Sequence, residues 1–113
     1  MTGGSDQERQ ETLDGFDEAV NMTAGELEKW LGTERSREVG QKDGGGESTG
    51  HASGRRIVKL LRTREADLGE ADLAHMRKVT GYVHRHLAQR PKGDANDTPW
   101  RYSLMNWGHD PEK

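Results

Sequence analysis

The chain has 113 residues, no cysteine and a formal net charge of −3, which excludes disulfides and thiolate metal sites. Only 16 residues are Leu, Ile, Val or Phe, so the core is small, and a folded centre with loose ends is expected, marginal as a monomer and relieved by a homodimer that shares apolar faces. Residues 1–12 are polar and acidic and no apolar run approaches a membrane span, so a soluble cytoplasmic protein is the default, with a disordered tail over 1–10 and one domain over 11–113.

The charge is uneven. Residues 1–50 hold 5 Lys/Arg against 12 Asp/Glu, and residues 51–113 hold 12 against 8. That predicts an acidic end and a basic end in place of an evenly solvated surface.

Along the chain, Leu13, Phe16 and Val20 recur at helical spacing and predict a helix over 12–20. Thr23 and Glu26 then make the T-x-x-E pattern of a capping box, with Met22 placed to staple onto Leu27, and open a second helix over 23–32 that turns Leu27, Trp30 and Leu31 inward. Residues 40–54, GQKDGGGESTGHASG, read as the main loop, a flexible connector capped by Ser53. The order of its residues does not match a phosphate-cradling G-x-x-x-x-G-K-[ST] loop, and no strand signal precedes it.

A third helix is predicted over 54–64. Ile57, Leu60, Leu61 and the stem of Arg64 face inward, and Arg55, Lys59 and Arg62 stack on the other side. Asp67, Glu70 and Asp72 surround the start of the fourth helix, where negative charge suits the helix dipole. That helix, 70–90, is the longest segment with a sustained period. Leu73, Met76, Val79, Thr80, Val83 and Leu87 form its buried side, and His75, Lys78, Tyr82, Arg85, His86 and Gln89 form an exposed strip of donors opposite. Pro91 ends it. Trp100, Tyr102, Leu104, Met105 and Trp107 then concentrate the aromatic content in a tail expected to fold back over the core.

The fold class expected is therefore all-α, a small bundle of about four helices with a glycine-rich loop and an aromatic C-terminal cover. For function, the residues point to binding. Between His51 and Lys92 stand 10 Lys/Arg and 4 Asp/Glu, and Arg55, Arg56, Lys59, Arg62, Lys78 and Arg85 offer donors on rigid helices of the kind that contact nucleic-acid phosphates. The alternative is a non-enzymatic interaction module or a homodimer. The two differ in one feature: phosphate binding requires Arg55, Lys59, Arg62, Lys78 and Arg85 on one exposed surface, and an interaction module requires exposed Trp100, Leu104 or Trp107.

Catalysis and metal binding find little support. His84 and His86 are two apart and diverge by about 200° on a helix, no serine sits in a nucleophile elbow, and no cofactor or small-molecule substrate is indicated. The expectation is that the chain is not an enzyme.

The stretches NMTAGELEKWL from Asn21, ESTGHASGRRIVKLL from Glu47, HMRKVTGYVHRHLAQRP from His75 and WRYSLMNWGHDP from Trp100 resemble domain-of-unknown-function family 3140. That resemblance implies a small protein with no assigned activity, in a family some of whose members are labelled DNA-binding, and it transfers no site residue. It departs at Gly69, where a Ser or Thr cap is usual. It also makes the segments around His51 and around Trp107 and His109 family signatures, which would form a pocket if His51 or His109 approached His84 or Arg85.

Overall fold

The computed structural model describes residues 3–39, 49–93 and 98–113, and all regular structure among them is helical. Helix α1 spans Gly3–Ala19, α2 Ala24–Leu31, α3 Glu34–Glu38, α4 Thr49–Leu61, α5 Glu70–Leu87 and α6 Pro99–Asn106, with a 3-10 turn at Glu65–Asp67. Helix α1 lies along α5, α2 lies along α4, and α6 crosses α2, α3, α4 and α5. This is the all-α bundle expected, with six helices among the described residues in place of four.

Its centre follows the sequence pattern closely. Leu27, Ile57, Val79, Val83 and Leu104 have no exposed surface, and Leu13, Phe16, Leu73 and Met76 close around them. The capping box at α2 forms as the spacing predicts: Thr23 Oγ1 accepts from the Glu26 amide at 3.1 Å and Glu26 Oε1 accepts from the Thr23 amide at 2.9 Å. The aromatic tail covers the core, with Trp100, Leu104 and Trp107 buried. Helix α6 stops in a Schellman turn: the amides of Gly108 and His109 return to Met105 O and Leu104 O at 3.0 Å each. Gly108 takes φ +85°, and a Cβ there would lie 3.0 Å from Val20, so conformation and space both require glycine.

Three boundaries differ from the sequence expectation. Helix α1 starts at Gly3, inside the stretch read as a tail, because Arg9 anchors it: its guanidinium donates to Leu68 O at 3.2 Å and to Glu65 O. Helix α3 was not expected; Thr33 caps it by accepting from the Ser36 amide at 3.2 Å. Helix α4 starts at Thr49, so residues 49–54 are helix and not loop, whereas residues 40–48 of the expected glycine-rich loop lie outside the described residues. Ser53 is consequently not a cap but a buried residue inside α4, and Arg64 lies beyond that helix with an exposed side chain.

The physical reason α4 holds glycines is close packing. A Cβ on Gly54 would lie 2.6 Å from Leu31 Cδ2 and 2.6 Å from Asn106 O, and one on Gly50 would lie 3.3 Å from Trp107 Nε1. One turn apart, these two glycines let α4 press against α2 and the end of α6.

Candidate functional site

Helix α5 divides into more faces than its sequence period suggests. Leu73, Met76, Val79 and Val83 are buried as predicted. The strip opposite them separates in two, since about 100° per residue puts His75, Tyr82 and His86 on a line beside that of Lys78 and Arg85.

The first line is not an open donor strip. The tail lays its tryptophans on it and builds a ladder of rings. His75 stacks on Trp107 with centroids 6.3 Å apart, Trp107 on Tyr82 at 4.2 Å, Tyr82 on His86 at 5.2 Å and His86 on Trp100 at 6.2 Å, all within 15° to 16° of parallel. The Arg90 guanidinium continues the series 5.2 Å from the Trp100 ring centroid. Burial pushes the Tyr82 phenol above its ordinary pKa and holds the His86 imidazole below its own, and His86 Nε2 is buried with no hydrogen-bond partner among the described residues. The sequence carried a signal for this ladder, the i, i+7, i+11 spacing of three rings, but the partner rings come from a distant segment.

At the upper end of the ladder, Ser53 Oγ and His75 Nε2 are 3.0 Å apart, joining α4 to α5. Burial lowers the His75 pKa first, and the nearby charges of Arg56 and Lys78 lower it further. A cation from each helix therefore bears on the same imidazole, which stays neutral at pH 7.

The second line carries the exposed charge. Lys78 and Arg85 lie two turns apart on α5, Lys59 is exposed on α4, and none of the three forms a hydrogen bond or ion pair with a described residue. Arg55 is also exposed, with partners of its own. The remaining two predicted cations are engaged. Arg56 donates to Ala71 O at 3.2 Å and lies 3.6 Å from Asp72. Arg62 forks onto Glu28 at 3.1 and 3.3 Å, and this hydrogen-bonded pair lowers the Glu28 pKa and raises that of Arg62. Arg55, Arg56 and Lys59 line a groove of about 520 Å³ that also holds Asp67 and Asp72.

Acidic α1 does not neutralise these cations. Glu8, Glu11, Asp14, Asp17 and Glu18 are exposed and form no ion pair with a described residue. The helix docks on the other flank of α5, where Arg77 Nε donates to Thr12 Oγ1 at 2.9 Å.

The residues grouped as a pocket do not meet around His84. His51 Nε2 lies 2.7 Å from Leu31 O, His109 Nδ1 lies 2.7 Å from Ala19 O, and Trp107 belongs to the ladder. His84 is exposed and contacts none of these three by hydrogen bond or ring stacking. Trp107 instead helps line a different cleft of about 390 Å³, with Thr49 and Gly50 at the start of α4, Tyr82 on α5, and Ser103 and Asn106 on α6. Asn106 is a fixed wall. Its Oδ1 accepts from Trp30 Nε1 at 2.8 Å and from Ser36 Oγ at 2.5 Å, and its Nδ2 donates to Ser36 O at 2.9 Å.

Among the described residues, no three His, Asp or Glu cluster as a metal site would require, and no helix is long and apolar enough to cross a membrane. Neither the curated proteins nor the solved structures include one that this chain matches. A family model does match, over residues 15–105, from the middle of α1 to the end of α6. On that match the chain belongs to the family of proteins of unknown function DUF3140.

Proposed function

We propose that this chain is a non-enzymatic, DNA-associated protein that contacts backbone phosphates through Lys59, Lys78 and Arg85, with Arg55 beside them. The observation that carries the reading is the state of those three side chains: each is exposed on a long helix and none forms an ion pair with a described carboxylate, Lys59 acting on Asp72 only as one of the nearby charges that lower its pKa. Cations held on rigid helices and not tied into ion pairs are what phosphate contact needs. Arg56 and Arg62 are removed from the contact set by their pairs with Asp72 and Glu28.

The competing reading, an interaction module working through an exposed aromatic tail, loses its distinguishing feature, because Trp100, Leu104 and Trp107 are 8%, 0% and 5% exposed. The test is binding to labelled duplex DNA across a salt series, for the native chain and for a Lys59→Ala, Lys78→Ala, Arg85→Ala variant. Binding that weakens steeply with salt, with a slope shallower by about 3 in the variant, supports phosphate contact through this face. No binding at low salt, or an unchanged slope, overturns it.

A further inference from the structure

We infer that the groove between α2 and the segment after α6 is a self-association surface, and that its occupant is the same groove of a second copy of this chain, related by a two-fold axis. The groove encloses about 350 Å³ and its centre is apolar: Met22, 7% exposed, lines it beside Trp30 of α2 and Met105 of α6, both partly exposed. Tryptophan and methionine are among the side chains that protein interfaces concentrate. Trp30 is also held in place before any partner arrives. Its indole N–H donates to Asn106 Oδ1 at 2.8 Å and its ring centroid lies 5.4 Å from that of Tyr102, so little further order is lost when a partner covers it.

The charges around the groove decide what fits it. Glu26 and Lys29 stand on the α2 edge and Asp110 and Lys113 on the C-terminal edge, so each edge carries one acid and one base. A polyanion, or a partner charged with one sign, is repelled by as much of this rim as attracts it. A second copy is not. A two-fold axis along the groove lays the α2 edge of one chain on the C-terminal edge of the other and makes every contact twice. Lys29 forms no hydrogen bond or ion pair with a described residue, and across that axis it meets the second copy's Asp110, whose Oδ2 accepts only from Arg101. Glu26 already accepts from Lys113 within one chain, and the same pair can form between chains without loss. Trp30 and Met105 then cover their counterparts, adding buried apolar surface to a chain with only 16 Leu, Ile, Val and Phe residues.

None of Lys59, Lys78 and Arg85 lines this groove, so the inference stands or falls apart from DNA binding. The test is sedimentation equilibrium of the full chain, without DNA, from about 1 µM to 1 mM. The native chain is expected to pass from one chain to two and to stop there, as a closed two-fold pair must. Lys29→Glu turns a rim of two acids and two bases into one of three acids and one base, and sets like charges against each other twice. Met105→Lys puts a cation into the apolar centre. Each variant should weaken association at least about tenfold, with a thermal melt at low concentration showing that it is folded. Lys29 is exposed with no described partner to lose, so Lys29→Glu decides the matter if Met105→Lys does not fold. The Lys59→Ala, Lys78→Ala, Arg85→Ala variant should associate as the native chain does. The inference is overturned if the native chain stays single up to about 1 mM, if its mass grows past two chains, if either folded variant of the groove pairs as tightly as the native chain, or if the triple alanine variant fails to pair.

Discussion

The ring of Trp107 lies 4.2 Å from that of Tyr82 and 16° from parallel to it, and this contact locks the C-terminal segment to the central helix. Tyr82→Ala would open a void between Trp107 and His86 and is expected to cost about 2 to 4 kcal/mol in a urea melt. Tyr82→Phe keeps both stacks and should cost less than about 1 kcal/mol. Equal losses in the two variants would show that the hydroxyl, and not the stack, holds the tail.

The glycines of the chain are not equivalent. Gly54→Ala drives a Cβ to 2.6 Å from the Asn106 carbonyl, which as backbone cannot step aside, and is expected to destabilise by about 1 to 3 kcal/mol. Gly25, in the exposed first turn of α2, has nothing within 4 Å of the same position. Gly25→Ala should therefore stabilise by about 0.5 to 1 kcal/mol, through helix propensity and a less free unfolded chain. Thermal melts of the two variants check both signs.

Those glycines mark where sequence reading stops. The capping box at Thr23 and the buried stripe of α5 are local patterns, complete within a few turns, and both were legible. The glycines of α4 looked like loop freedom, because nothing near them in sequence shows that Leu31 and Asn106 press against them. The strip of His75, Tyr82 and His86 looked exposed for the same reason: its cover is Trp107 and Trp100, brought in by the tail. The early start of α1 likewise depends on Arg9 reaching carbonyls beyond α4. Of the predicted cations, exposure was legible from helical period, whereas the pairs Arg62–Glu28 and Arg56–Asp72 needed the packing of α2 and α5 against α4.

Stability should fall in mild acid. Burial depresses the pKa of both His75 and His86 in the folded chain. As pH drops below about 6.5 the unfolded chain binds protons first, so stability is full above that value and is lost progressively until the folded imidazoles also protonate. Carboxylates act lower: the Gly69 amide lowers the Asp72 pKa and Arg62 lowers that of Glu28, so their contributions are lost only below about pH 4. The window between about 6.5 and 5 therefore reports the histidines. His86→Phe, which keeps the stack and removes the titration, should flatten the stability profile there. An unchanged profile in that variant would leave His75 as the sole source.

The pairing of Arg62 with Glu28 makes the DNA reading testable one cation at a time. A fork onto a carboxylate occupies the donors that a phosphate would use, whereas the Lys78 ammonium has no such competitor among the described residues. Arg62→Ala should therefore leave the slope of log K against log salt unchanged, and Lys78→Ala should make it shallower by about 1. Removing the competitor is the stronger test. Glu28→Gln frees Arg62, exposed just past the end of α4, and should steepen the slope by up to about 1 while tightening binding at low salt. If Arg62→Ala weakens binding as much as Lys78→Ala does, the pair opens on contact and the set of phosphate ligands extends to the α2 side. If Glu28→Gln changes nothing, Arg62 lies outside the contact surface, and the interface is confined to the cations of α5 and the Lys59 side of α4.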